Sequence, residues 1–219
     1  MPASLVRTLF PRFSLLESEE CAPLARQAVF GLAAITLPLA VAAVIVMKPF
    51  LSVWIGAGFA EVAAPLGEIL LIGVWINSLA WVPVVMLQGQ GRPSVVAKLH
   101  ALELIPYGAI LWLGVAWAGL PGAAWAWVLR VAIDALLIFW ASGLWARVFS
   151  VLWTGMALIA VVQLAVHLTA EMPMICGIVA IAVLIAAIFY SLRVAPNDLR
   201  LILARAVPFV SSRLAAMLK

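Results

Sequence analysis

Residues Gly119–Asp134 read G-L-P-G-A-A-W-A-W-V-L-R-V-A-I-D, and the rest of the chain is organised around them. The stretch opens on a Gly-Leu-Pro-Gly turn between two apolar runs, which makes those runs antiparallel neighbours. The second run carries Arg130 and Asp134, four residues apart and so on one face of a helix. Everything around them is apolar. In a soluble protein such a pair is ordinary. In a bilayer charges are costly, and they face other helices or a water-filled cavity.

Composition favours the bilayer. The chain has 219 residues, of which 67% are hydrophobic and 10% charged, with a mean hydropathy of +1.22. A soluble domain carries roughly 25% charged residues. The fold class expected is an all-α polytopic membrane protein. The net charge of +4 is spread between apolar runs rather than gathered in one patch, so nucleic acid is not expected as a partner. Cys21 and Cys176 make neither a metal spacing nor a disulfide framework. The first 20 residues include Arg7, Arg12, Glu17, Glu19 and Glu20 and lack the apolar core of a cleaved signal, so none is expected.

Outward from the turn, six spans can be laid along the sequence. Residues 1–26 are a mixed, cytoplasmic or interfacial lead-in. The spans then run over about 27–47, 66–87, 95–118, 122–143, 148–169 and 174–192, making 27–192 one membrane domain. Pro38 lies inside the first span, which Lys48-Pro49 ends. Residues 51–60 form a glycine-containing connection with Trp54 at the interface. The second span carries Glu68, then Asn77 and Ser78 as groups for bonding between helices. Q-G-Q-G-R-P (88–93) is a turn whose proline opens the next helix. Lys98, His100 and Glu103 fall in the first turns of the third span, ahead of Pro106. His167 is the titratable group of the fifth, and Glu171 and Pro173 mark the connection to the sixth. In the tail, 193–219, Asn197-Asp198 start a helix. Leu199, Ile202, Leu203 and Val207 recur at helical spacing, with Arg200 and Arg205 between them. This reads as a basic amphipathic helix on the membrane surface, with a simply solvated tail as the alternative.

With the N-terminus inside, eleven of the 13 lysines and arginines fall on cytoplasmic segments; Lys48 falls outside and Arg130 within a span. That asymmetry sets orientation with both termini cytoplasmic.

The candidate transport-path residues are Arg130, Asp134, Glu103, His100 and Glu68. Arg130 lies about nine residues into its span, roughly 13 Å deep, and Asp134 about 6 Å further. Isolated charges at such depth cost about 2.5–3.5 kcal/mol each, so mutual pairing of the two is the natural expectation. Two readings stay open: a structural pair that fixes packing, or the lining of an aqueous cavity for an anionic substrate. His100, Glu103 and Glu68 read first as solvated helix ends and second as proton-relay groups. The ten tryptophans read as an aromatic belt, with sugar stacking by Trp125 or Trp127 as the lesser alternative. No metal-spaced His/Cys set, no phosphate loop and no nucleophile with a nearby base is present, so no cofactor, metal or enzymatic activity is expected.

Four pieces, in this order and spacing relative to the spans, carry a resemblance: L-F-P-R-F-S (Leu9–Ser14), W-I-G-A-G-F-A (Trp54–Ala60), L-Q-G-Q-G-R-P (Leu87–Pro93) and G-L-P-G-A-A-W-A (Gly119–Ala126). Over about residues 5–145 the chain resembles the C-terminal part of polysaccharide or O-antigen flippases, in the multidrug/oligosaccharidyl-lipid/polysaccharide exporter superfamily. Residues 146–219 look like the two further spans and tail of many members. The resemblance implies a MATE-like C-terminal lobe in a bacterial cytoplasmic (inner) membrane. It implies export of lipid-linked oligosaccharide by alternating access, with membrane lipids as surroundings. It also implies a fragment or subunit, the last six of fourteen spans, needing a second membrane chain or the missing N-terminal lobe. The alternative class is a non-transporting scaffold or assembly subunit of a polysaccharide-synthesis system. The family has no single substrate motif that maps onto this chain, so Arg130 and Asp134 rest on the physical argument.

Overall fold

A computed structural model describes residues 2–168 and 173–206. All seven elements are helical: α1 (Pro2–Leu15), α2 (Ser18–Trp54), α3 (Ala57–Gly89), α4 (Pro93–Ala141), α5 (Trp145–Leu168), α6 (Pro173–Val194) and α7 (Asn197–Ala206). Five of them, α2 to α6, are long and apolar enough to cross a membrane.

The longest helix is two helices. At 1.5 Å per residue, the 49 residues of α4 would reach about 74 Å, more than twice a bilayer core of about 30 Å. Gly119 breaks it with φ 61° and ψ −133°, a conformation open to glycine at little cost. Contacts between Gly114 and Gly122, Glu103 and Arg130, and His100 and Asp134 then follow in order away from the break. The two arms, residues 93–118 and 120–141, are therefore an antiparallel hairpin. The four-residue turn expected at 119–122 contracts to Gly119, and Pro121 and Gly122 begin the second arm. Proline costs little there because a first-turn N–H has no partner within the helix.

The other reversals are equally short. Ile55-Gly56 joins α2 to α3, with Gly56 at φ 131°. The connection expected at 51–60 is thus mostly helix: α2 runs through Lys48-Pro49 to Trp54. Lys48 Nζ meets Glu61 Oε1 at 2.9 Å across the reversal, an exposed pair worth little by itself. The lead-in also differs from expectation, since α2 starts at Ser18 and residues 2–15 form α1. Phe13 of α1 is buried against Gly89 at the end of α3. The turn expected at 88–93 narrows to 90–92, because α3 runs to Gly89, while Pro93 opens α4 as expected. The connection containing Glu171 lies outside the described residues, as does the tail beyond Ala206.

The packing order places α3 between the α4 hairpin on one side and α2 on the other, with α5 and α6 beyond, against α2. On α2 the buried stripe is Cys21, Ala25, Val29, Ala33, Leu37, Val41 and Val44, spaced four or three apart and rich in small side chains. Small residues let helices approach where lipid supplies no hydrophobic drive between them. Rings fill the remaining gaps. The Trp127 ring lies over Gly73 of α3, and the Trp75 ring lies over Gly155 of α5. Trp75 and Trp127 are thus packing groups, which removes Trp127 from belt and sugar-stacking roles. Trp54, Trp112, Trp117, Trp125, Trp140 and Trp153 are exposed on the bundle surface. Ser78 bonds the Trp75 carbonyl of its own helix at 2.7 Å rather than a neighbouring helix.

A Cβ at Gly155 would stand 2.5 Å from Trp75 Cζ2. Gly155→Leu is therefore expected to destabilise the bundle by about 1–3 kcal/mol through overpacking. Gly177→Leu, at a position open for 4 Å around, should leave the thermal midpoint in detergent unchanged.

Candidate functional site

The first arm of the hairpin carries His100, Glu103 and Tyr107 on one face, at spacings of three and four. The second arm brings Arg130 and Asp134 against that face. Arg130 Nε donates to Glu103 Oε2 at 3.2 Å, and His100 Nε2 lies 3.2 Å from Asp134 Oδ1. The Arg130 guanidinium also sits over the Tyr107 ring, 5.8 Å from its centroid, in cation–π range.

The expected mutual pair of Arg130 and Asp134 is thus overturned. The two residues do share a face, but each is matched to a residue of the other arm. Across an antiparallel seam, groups a similar distance either side of the turn meet at the same depth, so Arg130 finds a carboxylate and Asp134 an imidazole on the facing arm. Glu103 is not the solvated helix end expected, since it is 6% exposed, and Asp134 is equally buried. His100 remains largely open.

A cavity of about 140 Å³ lies over the pair, lined by Glu103, Tyr107 and Arg130 with Leu102, Pro106 and Ile133. The residues of the second arm that pack toward the core are Val128, Val131, Ala135 and Phe139. Arg130 and Ile133 lie on the other side. The cavity is therefore a groove on the open face of the hairpin, with an almost wholly apolar surface and the ion pair lying beneath it. Glu103 Oε1 is buried there without a hydrogen-bond partner among the described residues. An orphan carboxylate oxygen beside a partly open guanidinium can exchange partners with an incoming polar group.

Glu68 is brought to a separate place. It is 4% exposed on α3, with its Oε2 3.1 Å from His167 Nε2 of α5. Gln163 Nε2 donates to the Glu68 carbonyl at 2.6 Å, tying the same two helices. Glu68 is again no solvated end, and His167 is its cover rather than an isolated interfacial group. The candidate list therefore divides into a quartet in the hairpin and one carboxylate between α3 and α5.

Sequence reasoning passed over Tyr107 and Gln163. Both carried a signal, since Tyr107 follows Glu103 by four and Gln163 precedes His167 by four, each on the face of a titratable group. Both cysteines are free, and among the described residues no cluster of His, Cys, Asp and Glu has metal-binding geometry.

No protein-family model matches the chain, and no solved structure matches it. Over 152 residues it is 33% identical to a curated protein of Shigella flexneri described as "Putative O-antigen transporter", a match covering 69% of this chain and 36% of that protein. The chain spans about a third of that relative's length. It is a helical membrane chain and a remote homologue of that protein.

Proposed function

We propose that these residues form one lobe of a flippase that moves lipid-linked oligosaccharide across a bacterial cytoplasmic membrane, without catalysis and without a cofactor. The observation that carries this reading is the Arg130–Glu103 pair at the floor of an apolar groove on the open side of the bundle. A lipid-linked saccharide joined through pyrophosphate combines an apolar chain with a compact anion. An apolar groove with a guanidinium at its base matches both parts. The similarity to a described O-antigen transporter supports the same substrate class. The matched third of that relative supports a lobe that works with a further membrane lobe, supplied in the same or a second chain.

In this reading the α4 hairpin crosses twice, giving six crossings with both ends cytoplasmic and a MATE-like arrangement of the lobe. Reporter fusions after residues 57, 120 and 171 then report the outside, and fusions after 91 and 146 the inside. A fusion after 120 that reports the cytoplasm would overturn the double crossing. For function, Arg130→Gln in a complete, reconstituted transporter should lower oligosaccharide export at least tenfold with folded yield kept. Unchanged export with Arg130→Gln would instead favour a scaffold or assembly role for this lobe.

A further inference from the structure

We propose that an incoming anion and Glu103 compete for Arg130, so that ligand binding to the groove loads one proton onto the hairpin. The inference rests on the reading of the groove as an anion site and deepens it by naming its coupling.

Charge balance in the buried seam governs the exchange. The seam holds two carboxylates, Glu103 and Asp134, against one guanidinium and one imidazole. Arg130 is the only fixed cation in it, and its Nε is already committed to Glu103. A pyrophosphate entering from the groove binds the same guanidinium, because bidentate phosphate and carboxylate recognition use the same N–H groups. Once displaced, Glu103 is a 6%-exposed carboxylate facing Asp134 with no cation of its own. A buried charge without a partner neutralises rather than persists. The proton goes to the Glu103 carboxyl, where Oε1 is already free of any hydrogen bond. Release of the anion reverses the step: the proton leaves and Glu103 returns to Arg130.

The groups facing Glu103 limit the alternatives. On the second arm they are Arg130 and Asp134; on its own arm, His100, which meets Asp134, and Tyr107, which lies under Arg130. On α3 the titratable groups are Glu61 and Glu68, in its first half, and Glu68 is engaged by His167 of α5. Among the described side chains, His100 and Asp134, whose Oδ1 is likewise buried without a hydrogen-bond partner, are thus the competing proton carriers.

The test uses the purified chain in detergent with farnesyl pyrophosphate as probe, and inorganic pyrophosphate and farnesol as comparison ligands. Calorimetry in two buffers of different ionisation enthalpy should show uptake of about one proton per farnesyl pyrophosphate bound. The dissociation constant should rise about tenfold per pH unit over the range where that uptake is complete. Glu103→Gln should abolish the uptake and flatten the slope to that of the ligand's own titration, while His100→Gln and Asp134→Asn each leave the uptake in place. Inorganic pyrophosphate should bind more weakly with the same uptake, and farnesol should show no uptake.

Wild-type binding without proton uptake, or uptake that survives in Glu103→Gln, overturns the coupling while leaving the anion site standing. Binding unaffected by Arg130→Gln overturns the anion site itself. Should Glu103→Gln fail to fold, the wild-type calorimetry alone still decides whether a proton is taken up.

Discussion

Glu103→Leu is expected to cost the folded protein about 1–3 kcal/mol, since Arg130 is left partly open to solvent, and Glu103→Leu combined with Arg130→Leu to recover most of that loss. The single change takes the facing carboxylate from the Arg130 guanidinium, leaving it the Tyr107 ring and, one turn along its own helix, an Asp134 already engaged by His100. Removing one member of a buried ion pair is costly because the survivor keeps its desolvation penalty; removing both is often nearly neutral. The structure also says which doubles fail to rescue. Arg130→Leu with Asp134→Leu breaks two pairs and strands Glu103 and His100 on the facing arm. Thermal midpoints and monodisperse yield in detergent, measured for the singles and both doubles, give the coupling energies. Rescue by the Arg130/Asp134 double but not the Arg130/Glu103 double would disprove the pairing across the seam.

Gly122→Leu is expected to have the second large effect, collapsing the monodisperse yield several-fold or more. A Cβ at Gly122 would run into the Gly114 carbonyl, and one at Gly114 would stand 2.6 Å from the Gly122 carbonyl oxygen. These are backbone contacts, so no side chain can swing aside. The arms must part, and parting them separates Glu103 from Arg130 and His100 from Asp134 as well. The loss therefore exceeds the usual figure of about 1–3 kcal/mol for an overpacked site, because the Arg130–Glu103 ion pair and the His100–Asp134 contact open with it. Gly108→Leu, on the facing arm with open space around it, is the control and should behave as wild type. Gly119→Ala falls between the two, costing about 1–3 kcal/mol, because φ 61° with ψ −133° is a backbone conformation that a side chain disfavours. A Gly122→Leu protein with wild-type yield would mean that the arms do not touch.

The positions of the long helices were legible because lipid imposes a simple rule. About 20 apolar residues with no unpaired backbone group can only be helix, so runs such as 66–87 and 174–192 could be marked on the chain directly. The hairpin was legible for a related reason: Gly119 interrupts a run too long for one crossing. Helix ends were less legible. Lys48-Pro49 looks like a stop, but a proline removes one backbone bond and need not end a helix, and α2 continues to Trp54. The face shared by Arg130 and Asp134 was visible in their spacing, whereas their partners were not.

The sequence by itself determined the bilayer as solvent, the helical class and the residues that carry charge into the apolar runs, since each depends on composition and local periodicity. Tertiary structure alone decided how those charges are satisfied. Arg130 went to Glu103 and Asp134 to His100, while Glu68 was sent away to His167, because ion pairing follows distance in space. That distance is set by Gly114 and Gly122, whose missing side chains let the two arms close, and by the one backbone reversal at Gly119 that lays them side by side.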